Sequence, residues 1–294
     1  MNTGQRELNI GEKIKIGGSL SLFLIGGPCV IESEDHAVFL AKKIKEVCKN
    51  LGIPFIFKAS YDKANRSSLA SYRGPGFPEG LEILENIKKT LDVPVLSDVH
   101  ETAQIERAAQ TLDILQIPAF LCRQTDLLLE AARTGKPINI KKGQFLAPHD
   151  MKNIADKIMS QGNTDIILTE RGTSFGYNNL VFDIRSIPIM KKLGFPVVID
   201  ASHSVQKPGG KGASSGGDAE FIPHVSAAGI AAGANGVFLE IHDDPSKALS
   251  DGPNSIDIND LSTLLSALLR LKSAIGDKID ALSIKIKDRQ IEQR

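Results

Sequence analysis

Apolar positions along the chain switch between two spacings. Short, nearly continuous apolar runs occur at Leu22–Ile25, Pro54–Lys58, Pro94–Asp98, Asp113–Ile117, Ile138–Lys141, Asp165–Thr169, Val197–Asp200 and Gly236–Glu240. Runs of this length, bounded by Gly and Pro, read as buried strands. Between them lie stretches with a helical period, such as Ala37–Asn50, Gly80–Leu91 and Asp150–Ser160. The last, Asp260–Ile275, sets Leu261, Leu264, Leu265, Leu268 and Leu269 on one stripe, the pattern of a helix packed on a core. Ahead of all these, residues 7–20 alternate weakly around Gly11-Glu12-Lys13, which predicts a small β-hairpin.

Strands alternating with helices predict right-handed βαβ units and a parallel sheet. Eight such units in one chain predict a closed (β/α)8 TIM barrel. An open doubly wound sheet is the rival, but no GxGxxG fingerprint opens a helix. No composition break marks a linker, so residues 1–294 read as one barrel domain, with residues 1–20 as a hairpin extension. One low-complexity piece, Lys207–Gly217, follows the seventh strand. It reads either as a plain floppy loop or as a mobile lid over the active face.

Composition narrows the class. Apolar residues make up 41% of 294, enough for a sizeable core. Lys plus Arg equal Asp plus Glu at 35 each, and that balance argues against a nucleic-acid partner. No apolar run is long enough to span a bilayer, and the N-terminal stretch lacks the apolar core of a signal peptide. The expectation is a cytoplasmic protein without membrane contact. Its three cysteines, Cys29, Cys48 and Cys122, are too few and scattered for a disulfide framework.

In such barrels chemistry sits at the C-terminal strand ends. The first strand turns at Gly26-Gly27-Pro28 and delivers Cys29; the second delivers Lys58; the third, Asp98 and His100. The fourth delivers Gln116 and, further on, Arg123; the fifth, Lys141 and Lys142; the sixth, Glu170 and Arg171. The seventh delivers Asp200 and His203, the eighth Glu240. Apolar runs that each finish in a polar residue are not a core pattern.

Closure makes the eighth strand a neighbour of the first, so Cys29, His203 and Glu240 come from adjacent strands. Thiolate, imidazole and carboxylate suit a divalent transition metal, and Asp251, in the following loop, is a candidate fourth ligand. The spacing is not a local metal motif, and the bland alternative is a packed thiol and a hydrogen-bonded structural histidine. Cys48 takes that bland reading outright. A second constellation is cationic: Lys58, Lys63, Arg66, Arg123, Lys141 and Arg171 would converge on the same mouth. Unpaired charge beyond an apolar strand is costly, so these residues call for phosphates or carboxylates rather than forming a merely solvated face. Lys63-Ala64-Asn65-Arg66-Ser67-Ser68 has the composition of a phosphate cradle, or of an ordinary helix N-terminus. Lys58 and Lys141 are also placed to form a Schiff base.

Several long motifs carry a family resemblance: GGPCVIES at 26–33, FKASYDKANRSS at 57–68, QIPAFLCRQTDLL at 116–128 and NIKKGQFLAP at 139–148. LTERGTSFGYNNLVFD at 168–183, DASHSVQKPGG at 200–210 and ALSDGPN at 248–254 agree. From about Leu22 to Ser266 the chain resembles the 3-deoxy-D-manno-octulosonate 8-phosphate synthases. The resemblance implies a (β/α)8 barrel, usually a homotetramer, that condenses phosphoenolpyruvate with arabinose 5-phosphate. It implies that Lys58, Lys63, Lys141 and Arg171 hold phosphoenolpyruvate in a pocket lined by Gln116, Pro118 and Ala119. Asn65, Arg66 and Ser67 then match the cradle for the sugar phosphate, and Asp98 and His100 flank the reacting centre. Cys29, His203, Glu240 and Asp251 match the family's metal quartet. Cys29, in place of the Asn of the metal-independent branch, implies the metal-dependent branch, with Fe2+, Zn2+ or Mn2+. Asp251-Gly252-Pro253-Asn254 is closer to the metal-free branch.

The expected catalytic set is Asp98, His100, Lys58, Lys141 and His203. The rivals are a sister synthase with another acceptor sugar, a Schiff-base barrel aldolase, and a non-catalytic anion-binding barrel.

Overall fold

The computed structural model describes residues 5–11, 14–66, 68–210 and 215–275. The chain opens with an antiparallel hairpin, β1 (Glu7–Ile10) and β2 (Ile14–Gly17), in which Leu8 faces Ile16 and Ile10 faces Ile14. Glu12 and Lys13 of the expected turn lie outside the described residues, and the second strand stops short of the expected boundary.

Strand and helix then alternate: β3 (Phe23–Gly27), α1 (Glu34–Leu51), β4 (Phe55–Lys58), α2 (Glu79–Leu91), β5 (Val95–Asp98), α3 (Thr102–Thr111), β6 (Ile114–Ile117), α4 (Thr125–Arg133), β7 (Ile138–Lys141), α5 (Met151–Met159) and β8 (Ile166–Glu170). A short ladder of β9 (Thr173–Ser174) and β10 (Leu180–Val181) precedes α6 (Ser186–Lys191), β11 (Val197–Asp200) and α7 (Ala201–Ser204). A second ladder, β12 (Gln206–Lys207) with β13 (Gly216–Gly217), is followed by α8 (Ile222–Ala231) and β14 (Gly236–His242). The parallel β15 (Ile256–Asp257) and α9 (Ile258–Ile275) end the described chain.

Eight of these strands form one parallel sheet in the order β11-β8-β7-β6-β5-β4-β3-β14, and β14 pairs back onto β11. The sheet is closed, as the eight apolar runs predict. The boundaries move by a residue or two; β14 runs on to His242, and α9 starts at Ile258 rather than Asp260.

Helix ends follow local chemistry. The Ser33 side chain accepts from the His36 N–H at 3.2 Å, Glu34 and Asp35 fill the first turn of α1, and Gly52 ends it at φ 66°. Gly27 has a different reason to be glycine. A Cβ there would lie 2.1 Å from the Lys58 carbonyl oxygen, so β3 and β4 could not approach at the mouth.

Strand pleating sorts side chains into two cores. Leu22, Leu24, Phe57, Val95, Leu115, Ile140, Leu168, Ile199 and Leu239 face outward and pack under the helices. Phe23, Ile25, Ile56, Leu96, Ile114, Ile167, Val198 and Phe238 face inward. From below, Leu8, Ile10 and Ile16 of the hairpin, each at most 3% exposed, close this inner core. Each such side chain withdrawn from water contributes roughly 1.5–3 kcal/mol. Two residues beyond an inward apolar position the chain points inward again. Hence Lys58 follows Ile56, Asp98 follows Leu96, Gln116 follows Ile114, Thr169 follows Ile167, Asp200 follows Val198 and Glu240 follows Phe238.

Candidate active site

Of these inward polar side chains, Lys58, Asp98, Gln116 and Asp200 line a cavity of about 540 Å3 at the C-terminal mouth. Its floor is the Phe238 ring, with Lys141 Nζ 3.1 Å and Lys58 Nζ 5.6 Å from the ring centroid. Beneath Gln116 a buried polar layer crosses the barrel. Asn139 Nδ2 donates to Gln116 Oε1 at 3.0 Å, and Thr169 Oγ1 donates to Asn139 Oδ1 at 2.5 Å.

The cations divide by depth. Lys58, Lys141 and Arg171 are 1%, 5% and 5% exposed, whereas Asn65 is exposed and Arg66 half-buried at the rim. Lys58 Nζ donates to the Cys29 carbonyl at 2.9 Å and to Glu240 Oε1 at 3.1 Å. Lys141 Nζ lies 2.5 Å from Asp200 Oδ2. Burial pushes the Lys141 ammonium down to about 8, against the pull of Asp200. Burial likewise lowers Arg171, whose Nη2 reaches Gln206 Oε1 at 3.2 Å while Nη1 is buried with no hydrogen-bond partner. An unpaired guanidinium nitrogen in a cavity is a standing demand for an anion. At the rim the Arg66 guanidinium donates to Tyr72 O, Ser250 Oγ and Leu249 O, so the cradle is bound to the loop after β14. Ser67 lies outside the described residues.

Asp98 sits between Ser60 Oγ at 2.5 Å and His100 Nε2 at 2.9 Å. Burial opposes its charge, but the His100 hydrogen bond and Lys63 hold its carboxyl well below the usual range. Burial also opposes charging His100, yet Asp98 raises it. His100 Nδ1 has no partner, so this ring has a proton position to spare.

The four metal-type residues are also brought together. Cys29 Sγ lies 3.1 Å from Asp251 Oδ2, and His203 Nε2 lies 3.6 Å from that oxygen and 3.5 Å from Glu240 Oε1. The second Glu240 oxygen is buried without a partner. His203 gives Nδ1 to Asp200 Oδ2 at 2.8 Å, which aims Nε2 at the carboxylates, the usual support for a ligating imidazole. Burial, reinforced by Asp251, pushes the Cys29 thiol well above its ordinary value. It becomes a thiolate only beside a strong cation. Asp251 holds a left-handed backbone, φ 52°, a conformation that few non-glycine residues keep without cause. Soft, imidazole and carboxylate donors, a helping carboxylate and an orphaned oxygen have the chemistry that a divalent transition metal takes, although the donor atoms are not drawn into one tight cluster.

Gln116, Pro118 and Ala119 line the cavity as expected. Arg123 does not: it follows the 3-10 turn Ala119–Leu121, points to solvent, and offers only its carbonyl, to Lys157. Lys142 is a second correction. One residue beyond Lys141, it faces the other side of the sheet, where it donates to Leu146 O and Thr173 Oγ1. Glu170, likewise read as a mouth residue, caps the N–H groups of Arg171 and Gly172 instead. Asp200 lines the cavity, as its place at the seventh strand end predicts, and Gln144 and Gln206, which the sequence reading does not name, line it too. Asp200 had a legible signal, a charged residue ending an apolar strand just before His203. The arms of the Lys207–Gly217 stretch form the β12–β13 ladder beside the mouth, and residues 211–214 lie outside the described residues.

A closed barrel with anion-holding cations and a metal-type donor set at one mouth defines an enzyme that works on small anionic molecules. The chain belongs to the DAHP synthetase I family, whose family model matches residues 5–276. It is 57% identical over 270 residues to the 2-dehydro-3-deoxyphosphooctonate aldolase of Geotalea uraniireducens (strain Rf4), covering 92% of this chain and 99% of that one. Proteins of the same name from Geobacter metallireducens and Geobacter sulfurreducens are 58% and 55% identical, with the same coverage. The resemblance read from the motifs is borne out.

Proposed function

We propose that the chain condenses phosphoenolpyruvate with D-arabinose 5-phosphate, giving 3-deoxy-D-manno-octulosonate 8-phosphate and inorganic phosphate. The observation that carries this reading is one cavity with two anion-holding groups at different depths. Buried Lys58, Lys141 and Arg171, with half-buried Lys63, take the carboxylate and phosphate of phosphoenolpyruvate, and Asn65 and Arg66 take the sugar phosphate near the rim. Two clamps at fixed separation bring the enol C3 to the sugar aldehyde without an entropic search.

In the condensation, C3 of phosphoenolpyruvate bonds to the aldehyde carbon, whose oxygen gains a proton. Water adds to C2, and phosphate leaves by C–O cleavage. The cations stabilise the anionic groups throughout. His100, with Nδ1 free and its charge supported by Asp98, is the group placed to supply a proton. His203 holds its own proton on Nδ1 against Asp200. A divalent metal (Fe2+, Zn2+ or Mn2+) held by Cys29, His203, Glu240 and Asp251 would polarise the aldehyde oxygen or orient water.

The product is an acidic sugar phosphate of the kind used in lipopolysaccharide biosynthesis. A cytoplasmic location agrees with such substrates, and no helix among the described residues is long and apolar enough to cross a membrane. A homotetramer is the assembly the family resemblance implies, and the exposed side chains Phe120, Phe145, Phe175 and Tyr177 are apolar surface that contacts between copies would cover. Light scattering checks it.

The test is phosphate release from the two substrates, before and after chelation with metal analysis. Turnover lost to EDTA and restored by Mn2+ or Zn2+ supports synthase and metal site together. Turnover by verified metal-free protein keeps the synthase and dispenses with the metal. Turnover with erythrose 4-phosphate or a mannosamine instead identifies a sister synthase, and borohydride trapping of a keto acid on Lys58 or Lys141 identifies a Schiff-base aldolase.

A further inference from the structure

Outside the mouth, Glu32, His36 and His242 form a cluster that the proposed reaction does not use. Glu32 lies between β3 and α1, His36 in the first turn of α1, and His242 at the end of β14. One nitrogen or oxygen from each lies within 4.8 Å of those of the other two. The His36 and His242 rings are 4.6 Å apart. His242 is only 5% exposed, and its Nε2 has no hydrogen-bond partner, although Glu32 Oε1 stands 3.3 Å away. The buried Nδ1 of His36 is equally without a partner.

We propose that Glu32, His36 and His242 form a second site for a divalent transition metal, one that braces the loop between β14 and β15. Two imidazoles and a carboxylate are a donor set for Zn2+, Ni2+ or Fe2+. Tetrahedral zinc with bonds of ~2.1 Å separates its ligand atoms by about 3.4 Å, a spacing that small side-chain rotations reach from the observed one. Asp243 supplies the surrounding support: its Oδ1 lies 2.8 Å from His36 Nε2 and 3.1 Å from His242 Nδ1. In the metal-free ring His242 Nδ1 accepts from the Asp244 N–H at 2.9 Å, which leaves the ring proton on Nε2. Metal at Nε2 moves that proton to Nδ1, which gives up the Asp244 N–H and donates to Asp243 Oδ1 instead.

The cluster is wired to the mouth. Glu32 Oε1 accepts the Leu249 N–H at 2.8 Å, and Arg66 donates to the Leu249 carbonyl and to Ser250 Oγ. Ser250 Oγ is 3.0 Å from Cys29 Sγ. A metal fixing Glu32 therefore fixes the segment that carries Ser250 and Asp251.

The experiment is equilibrium dialysis of the full chain against Zn2+, comparing the unaltered protein with His36→Leu and His36→Gln, each checked for folding by circular dichroism. The unaltered protein should bind one equivalent more than either variant, or bind it more than tenfold tighter. Removing a supporting outer-shell group already costs roughly 10- to 100-fold in affinity, and a direct ligand costs more. Only the difference between proteins is counted, so the result does not depend on whether the Cys29 site holds metal. Loading with Co2+ locates the difference: the equivalent lost with His36 should carry no thiolate-to-cobalt absorption. Equal stoichiometry and affinity in all three proteins overturns the site, and so does a lost equivalent that carries the thiolate band.

Discussion

The two ends of the barrel are made by the same strands, a single inward step apart. At the lower end the inward positions are Phe23, Ile25, Ile56, Leu96, Ile114, Ile167 and Val198, sealed by the hairpin. At the upper end the next inward positions include Lys58, Asp98, Gln116, Lys141, Asp200 and Glu240, all nearly as buried. Burial is the same and the chemistry opposite. The lower end draws its free energy from hydrocarbon removed from water. The upper end keeps charges where each needs a partner, and several partners are missing: Arg171 Nη1, His100 Nδ1 and one Glu240 oxygen are unmatched. A substitution below should therefore be felt in stability, and one above in turnover.

Arg171→Ala should give the largest loss in turnover. Truncating one partner of a buried charged hydrogen bond costs ~2–5 kcal/mol, so kcat/KM for phosphoenolpyruvate should fall roughly 30-fold or more, with the denaturation midpoint little changed. An unchanged kcat/KM would remove Arg171 from the site. Next comes Cys29→Ser, which should lose metal and about tenfold or more in activity, while Cys122→Ser keeps both. Full metal occupancy in the Cys29 variant, read by elemental analysis, would defeat the ligand assignment.

A smaller effect comes from pH. Burial lowers Lys141 to about 8, so its cation is present below that pH and lost above it. The pH profile of kcat/KM for phosphoenolpyruvate should show a basic limb near 8, falling about tenfold per unit beyond. Lys141→Arg should move that limb upward, since a guanidinium does not deprotonate in this range. A limb that stays in place belongs to another group. The smallest effect on turnover should come from Ile16→Ala at the hairpin. It should cost ~2–5 kcal/mol in denaturant unfolding yet leave kcat within about twofold. A large loss of kcat there, with stability kept, would break the contrast between the two ends.

Much of this contrast was legible in the sequence because strands alternate sides. Eight apolar runs, each with a polar or reactive side chain at or just beyond its end, point both to the barrel and to the end that carries the chemistry. The same parity separates Lys141 from Lys142, a signal that was present but overlooked. Arg123 was misplaced for a different reason: it follows a 3-10 turn whose direction no hydrophobic period reveals. Gln144 and Gln206 sit on loops, where periodicity is silent. The engagement of Arg66 with the loop after β14 joins residues 184 positions apart, a pairing that only the closed fold brings together. The hairpin was predicted as an element, but its role as the floor of the barrel depends on where it docks.

Asp200 has a consequence for how this mouth can change over evolutionary time. One of its oxygens serves both Lys141 and His203, and so ties the group that grips one reactant to the group that faces the metal-type carboxylates. Neither neighbour can be exchanged without altering the other's hydrogen bond. Mutational paths through this trio should be rugged, with single replacements penalised and only joint replacements tolerated. A lineage that altered His203 would thereby disturb Lys141, and one that altered Lys141 would disturb His203.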